Sequence, residues 1–315
     1  QHLPGRIRNL NNAPIDSDGE FVLYWMTAQR RTRWNPSLEH AAQLAEELDR
    51  PLIVVEPFSI DHKFASDRLV TFVAQGMLDN LEAFEGSSVR YIPWIETHRE
   101  RGTGLLRRIT SRSCVVVIDD FPTGHPRYVM ERAAEIVQVC LLAVDGCGVI
   151  PLNWTEKAPP LAHTFRRTVQ RRVLEAIATA PMESPLAGRS STLWMPDIQF
   201  DRLMEDLRFD MTPLEWLWRV AEGGMTAKQA LEPLPIDHQV PPVPGCRGGS
   251  FEAKRLLDVF INQRLSNYAE GRNNPSNPMT SRLSPWLHFG HISSLEVVHR
   301  VLQDGSWDPS MTDEK

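Results

Sequence analysis

The chain is poor in cysteine, with four in 315 residues, Cys114, Cys140, Cys147 and Cys246, and no Cys-x-x-Cys among them. Thiols so few and scattered exclude a disulfide scaffold, and without paired Cys/His spacing no structural zinc is expected. No run approaches the ~20 apolar residues of a membrane span, and Gln1 to Asn12 lack the apolar core of a signal peptide. The expectation is a soluble, monomeric protein of the reducing cytoplasm with no membrane contact. Two phosphate-loop signatures are missing as well. No Gly-x-Gly-x-x-Gly follows the first apolar run and no Gly-x-x-x-x-Gly-Lys-Ser/Thr occurs anywhere, which disfavours dinucleotide dehydrogenases and P-loop enzymes.

What is present suffices for two packed cores: 42% hydrophobic and 23% charged residues over 315 positions. Short β-branched runs at Phe21 to Met26, Pro51 to Val55, Val89 to Trp94, Cys114 to Ile118 and Val139 to Val144 alternate with amphipathic stretches near 37–49, 65–85, 98–112 and 126–137. That alternation predicts a doubly wound, Rossmann-like parallel sheet over residues 1–150. Asp119-Asp120 fall at the carboxyl end of the fourth run, where such sheets bind ligands, although a helix cap or a solvated loop explains an acidic pair equally well. After Pro151 the pattern changes to helices between proline-rich connections. Asn153 to His163 reads as a linker, Thr164 to Ala180 as a helix, Pro181 to Pro196 as irregular, Thr212 to Glu222 and Thr226 to Glu232 as short helices, and Pro233 to Cys246 as extended. Residues 151–247 thus form a linker and helical segment. Gly248-Gly249-Ser250 then introduces one long helix, about 251–269, with Leu256, Leu257, Phe260, Ile261, Leu265 and Tyr268 on a shared face.

The net charge of −6 argues against a generally sticky nucleic-acid coat, yet Arg247 to Arg282 hold six basic residues against three acidic ones. Arg166-Arg167 and Arg171-Arg172 make a second basic run. Each run is read either as a solvated helix face or as a local binding surface for DNA phosphates.

The richest stretch runs from Tyr268 to Gly290. Thr280, Ser281, Arg282 and Ser284 place three hydroxyls and a guanidinium within five residues, and Ser284-Pro285 opens an apolar segment with Ser suited to the N-cap and Pro to the first turn. Such helix starts favour phosphate, and an ordinary capped helix after a Pro/Asn turn has the same residues. His288 and His291, three apart, are two potential metal ligands with no third nearby; His288 reads as a packed, hydrogen-bonded histidine and no metal is expected.

The spacing of Tyr268, Arg272, Thr280-Ser281-Arg282-Leu283-Ser284 and Leu287-His288-Phe289-Gly290 resembles the flavin-domain signature of the DNA photolyase and cryptochrome superfamily. Leu283 to Ser293, with Phe21 to Met26, Arg30-Arg31, Asn35, Val144-Asp145, Val149 to Pro151 and Thr164-Phe165-Arg166, is similar to the class II photolyases in particular. The likeness spreads over almost the whole chain. It implies an α/β antenna domain followed by an all-α FAD-binding domain, here 248–315 and incomplete, with a deazaflavin-type antenna chromophore on the sheet. It implies flavin contacts at Tyr268, Thr280, Ser281, Arg282, Leu283 and Ser284, and a DNA contact at Arg272.

The implied activity is light-dependent repair of cyclobutane pyrimidine dimers in UV-damaged DNA by electron transfer from reduced FAD. A cryptochrome-like photosensor, or an inactive truncated relative, is the alternative. The family's catalytic acid and tryptophan relay are expected beyond Lys315, so the nine tryptophans here read as core or surface aromatics and the chain as C-terminally truncated.

Overall fold

A computed structural model describes residues 3–98, 102, 104–154, 161–189 and 193–304. Six strands, β1 (Ile7–Asn9), β2 (Phe21–Trp25), β3 (Leu52–Phe58), β4 (Arg90–Ile95), β5 (Ser113–Asp120) and β6 (Cys140–Asp145), form one sheet in the order β1-β6-β5-β2-β3-β4. All neighbours are parallel except β1, which runs antiparallel to β6 at the edge. The five apolar runs are the five parallel strands. Their continuous hydrophobicity follows from burial on both faces. β2 and β5 are buried at every position. The order reverses between β2 and β5, the switch point at which doubly wound sheets open a crevice.

Four helices cover this sheet: α1 (Pro36–Leu48), α2 (Asp67–Phe84), α3 (Leu105–Thr110) and α4 (Gly124–Ile136). α1 starts where Asn35 Oδ1 accepts the Leu38 N–H at 2.9 Å and Pro36 takes the first turn. α3 is shorter than the expected 98–112, part of which lies outside the described residues. α2 is the hub of the molecule. Phe84 at its end enters a sheet core, Val70, Val73, Ala74 and Met77 pack with the helices that follow, and Phe72 joins a third cluster.

The helical part comprises α5 (Ala162–Gln170), α6 (Val173–Ala178), α7 (Asp197–Asp206), α8 (Leu214–Glu222), α9 (Gly224–Leu231), α10 (Ser250–Gln263), α11 (Tyr268–Gly271), α12 (Ser284–Phe289) and α13 (Ser294–Asp304). Sheet followed by helices is the expected architecture, with differences in detail. The single helix over 164–180 is two, broken at Arg171-Arg172, where the Arg172 guanidinium stacks 3.8 Å over the Trp154 ring. α7 falls where no helix was expected, and its Phe200, Leu203 and Met204 join the sheet core. Of the expected linker Asn153 to His163, residues 155–160 lie outside the described residues, as do 190–192 of the irregular stretch and residues 305–315 of the expected FAD-binding domain. The proline-rich strap after Pro233 is tied to the start of α2, where Asp237 bridges to Ser66 in parallel register and His238 Nδ1 lies 2.8 Å from Asp67 Oδ1. Among the described residues no helix is long and apolar enough to cross a membrane.

Candidate functional site

The site is assembled from α10, the turn after it and α12, all held against α2 by one buried carboxylate. Asp79, on α2, accepts the Phe251 N–H at 2.9 Å and receives the Arg247 guanidinium at 2.6 and 3.2 Å. A carboxylate at a helix N-terminus satisfies an orphan donor and faces the positive end of the dipole. Gly249, at φ +102°, brings the backbone close enough for this. A Cβ there would stand 2.2 Å from Asp79 Oδ2. No local pattern signalled Asp79; an acidic residue inside an otherwise apolar helix stretch was the available hint.

α10 ends at Gln263, and a 3₁₀ turn over Leu265–Asn267 leads into α11. The expected continuous helix to 269 is therefore interrupted at Arg264, whose Nη1 donates to Thr280 O at 3.3 Å. Tyr268 is exposed by 37%, its ring edge-on to Phe260 at 5.7 Å and 5.9 Å below the Arg272 guanidinium. Arg272 caps α11, is exposed, and makes no ion pair among the described residues.

The loop returns through Asn274, whose Oδ1 accepts the Ser276 and Asn277 N–H groups, and Met279 N–H bonds back to Gly271 O. Thr280 and Ser281 follow half-buried, then Arg282 exposed in the left-handed region at φ +59°, Leu283 fully buried and Ser284 exposed. Ser281 Oγ accepts the Leu283 N–H at 3.4 Å, whereas the Thr280 and Ser284 hydroxyls bond to nothing among the described residues. Ser284 is not the N-cap. It is the first residue of α12, Leu283 holds the cap position, and no side chain caps this helix. Burial of Leu283 beside Leu257, Phe260 and Trp286 pins the turn so that its polar groups face outward.

Trp286 is core, its Nε1 donating to Arg247 O at 3.0 Å. His288 is not the packed histidine expected. His288 is exposed beside Phe289, while His291, past the helix end, is fully buried. His291 Nδ1 accepts the Gly249 N–H at 2.9 Å, and its ring stacks on Phe72 at 5.1 Å. Burial, and then the charges of Arg30, Arg247 and Arg31, push its pKa down to about 3. The ring is neutral, with the proton on Nε2, which has no partner. Among the described residues no group of His, Cys, Asp and Glu is arranged to hold a metal.

Gly290 turns the chain into the sheet domain. Its φ is +76°, a Cβ would lie 1.7 Å from Ala28 O, and its own carbonyl accepts from Arg31 Nη1 at 3.1 Å. The Leu-His-Phe-Gly stretch is thus a docking contact between the helical part and the loop after β2. That loop is itself closed by Asp119, which accepts the N–H groups of Thr27, Ala28 and Gln29 at 2.7–2.9 Å and the Tyr24 hydroxyl at 2.7 Å. Asp120 is bound by Arg8 at 2.5 and 2.9 Å. Both acids are buried and bonded within the fold, and neither is a helix cap or part of a solvated loop.

No protein-family model matches the chain. A deoxyribodipyrimidine photo-lyase of Methanothermobacter thermautotrophicus is 26% identical over 301 residues, 95% of this chain and 60% of that protein. The chain spans about three fifths of the length of this relative and of a second photo-lyase, from Arabidopsis thaliana. Among solved structures, a class III photolyase from Agrobacterium tumefaciens aligns with a TM-score of 0.61 at 19% identity, covering 93% of this chain and 55% of that one. A Synechocystis cryptochrome aligns with a TM-score of 0.61 at 14% identity, covering 94% and 57%. A Sulfolobus tokodaii photolyase described with two FAD molecules gives 0.56 at 14%, covering 89% and 54%. The chain is thus similar in sequence to photolyases along nearly all its length and shares its fold with photolyases and a cryptochrome.

Proposed function

We propose that the chain serves light-dependent repair of cyclobutane pyrimidine dimers in DNA, by electron transfer from reduced FAD, in the manner of the class II photolyases. The observation that carries this reading is the 280–284 turn. It offers two uncommitted hydroxyls, a third at Ser281 and the exposed Arg282 on one outward-facing backbone, while buried Leu283 fixes it from behind. Such a donor set fits a diphosphate. When bound, FAD supplies the light-driven electron. Thr280, Ser281, Arg282 and Ser284 hold the phosphates, and the half-exposed Tyr268 ring flanks them. Arg272, permanently charged and unpaired, grips a phosphate of the damaged strand. The antenna chromophore, of deazaflavin type, belongs with the rings of Phe58, His62, His125 and Tyr128, whose successive centroids stand 6.2–6.4 Å apart beyond the carboxyl ends of β3 and β5. This reading is supported by the exposed Tyr128 ring and the neighbouring His125, whereas Phe58 is buried in the core and His62 Nδ1 accepts the Phe64 N–H.

A photosensor without repair is the second reading, favoured by the cryptochrome that shares this fold at the same TM-score as the photolyase. One experiment separates the two. The chain is purified in the dark, supplied with FAD, mixed with dimer-containing oligonucleotide, illuminated, and assayed for recovered thymine. Recovered thymine is expected. Flavin retained without repair favours the photosensor, and protein that stays colourless after FAD addition removes the corner as a flavin site.

A further inference from the structure

A cleft of about 490 Å³ opens between α2, the turn joining α8 to α9, the proline-rich strap and the start of α12. None of Tyr268, Arg272 or Thr280 to Ser284 lines it. Its volume falls in the range of small-molecule sites. Phe72 and Phe289 form one wall, their centroids 5.2 Å apart with planes tilted by 53°. This apolar aromatic wall suits an aromatic ring packed against it in a tilted or edge-on arrangement.

Two polar features of α2 give the cleft its chemistry. Thr71 lines it with only 2% exposure, and its Oγ1 has no hydrogen-bond partner. A buried hydroxyl left unpaired is unfavourable, and a polar atom of a bound ring would satisfy it. Arg68 lies three residues earlier on the same helix and therefore on the same face. Its Nε donates to Pro241 O at 3.0 Å, but its two terminal nitrogens make no bond among the described residues. The other charges on the rim are already matched. Arg247 is bound to Asp79 at 2.6 Å and Glu252 to Arg255 at 2.7 Å. The uncommitted charge of the cleft is thus a guanidinium fork, which binds phosphate at two points.

We propose that this cleft binds a planar aromatic phosphate of mononucleotide size. The ring lies against Phe72 and Phe289, one of its polar atoms pairs with Thr71 Oγ1, and the phosphate is held by Arg68. The site is independent of the flavin corner and stands whether or not that corner holds FAD.

The test is calorimetric titration of the full chain with adenosine monophosphate. Saturable binding is expected, with adenosine about tenfold weaker and inorganic phosphate unable to displace the nucleotide. Thr71→Val, which keeps the shape and removes the hydroxyl, is expected to weaken binding about fivefold to tenfold. Arg68→Lys, which keeps the charge but loses the two-point fork, should weaken it about tenfold. Val243→Trp, placed on the strap at 45% exposure, should fill the cleft and abolish binding without moving Tm. Lys254→Ala, on the exposed face of α10 away from the cleft lining, should leave nucleotide affinity unchanged. Absence of saturable binding at millimolar nucleotide overturns the proposal. Complete displacement by inorganic phosphate does so too, as does unchanged affinity in Thr71→Val and Arg68→Lys.

Discussion

At the scale of single residues, His291 has the largest measurable consequence. It is neutral in the fold with a pKa near 3, against 6.5 when free. Below about pH 6.5 the unfolded chain therefore takes up a proton that the folded chain refuses. Stability from this group is whole above pH 6.5 and falls by up to about 1.4 kcal/mol per pH unit as pH drops toward 3. His291→Asn keeps an acceptor for the Gly249 N–H and removes the titration. Urea midpoints of the two proteins between pH 7 and pH 4 should converge as pH falls, and parallel curves would refute the assignment. Gly290 makes a second prediction. Alanine there combines a left-handed φ with a Cβ 1.7 Å from Ala28 O. Gly290→Ala is expected to cost about 3 kcal/mol or more, since a backbone must move, read as a drop in Tm.

At the scale of elements, α10 depends on a contact that sequence reading does not reach. Asp79 and Arg247 stand 168 positions apart, and their pairing joins α2 to the N-terminus of α10. Asp79→Ala removes a cap and leaves Arg247 without its partner, so a loss of roughly 2–4 kcal/mol is expected. Hydrogen exchange should show α10 and α12 opening first while β2 and β5 stay protected; uniform loss across both parts would count against a local latch. The parallel strands were legible because double-sided burial writes itself as unbroken β-branched runs. β1 was not, being three residues long with Arg8 at its centre. α7 carries Phe200, Leu203 and Met204 at helical spacing, with Leu207 at its C-cap, a signal present in the sequence but masked by the prolines before it. The break at Arg264 is different in kind. The apolar stripe runs on through Leu265 and Tyr268, and only the bond from Arg264 to Thr280, sixteen residues away, accompanies the end of the helix. In the same way the corner residues 280–284 were visible as a cluster, but the cap at Leu283, the close approach at Gly290, the exposure of His288 and the burial of His291 belong to tertiary packing.

At the scale of the whole molecule, the charge balance constrains the proposed contact with DNA. A net charge of −6 repels a polyanion, so association depends on the few cations that the fold leaves unpaired. Of the six basic residues from Arg247 to Arg282, Arg247 is bound to Asp79, Arg255 to Glu252, and Arg264 to a carbonyl. Lys254, Arg272 and Arg282 remain outside ion pairs among the described residues, together with Arg166, Arg167 and Arg171 on the exposed α5 and the turn after it. Each phosphate neutralised contributes about −0.9 to the slope of log K against log salt. A protein using a few of these cations should show a slope of about −2 to −4, shallower than that of broadly basic DNA binders. Arg272→Ala should reduce the magnitude of that slope by about 0.9 and leave flavin retention unchanged. Arg282→Ala should do the converse, releasing flavin while keeping the salt dependence. The double comparison, made by fluorescence anisotropy with dimer-containing oligonucleotide and by visible absorbance, separates the two arginines that one short loop places ten residues apart. An unchanged slope in Arg272→Ala would remove the DNA contact from this loop and move it to the arginines of α5.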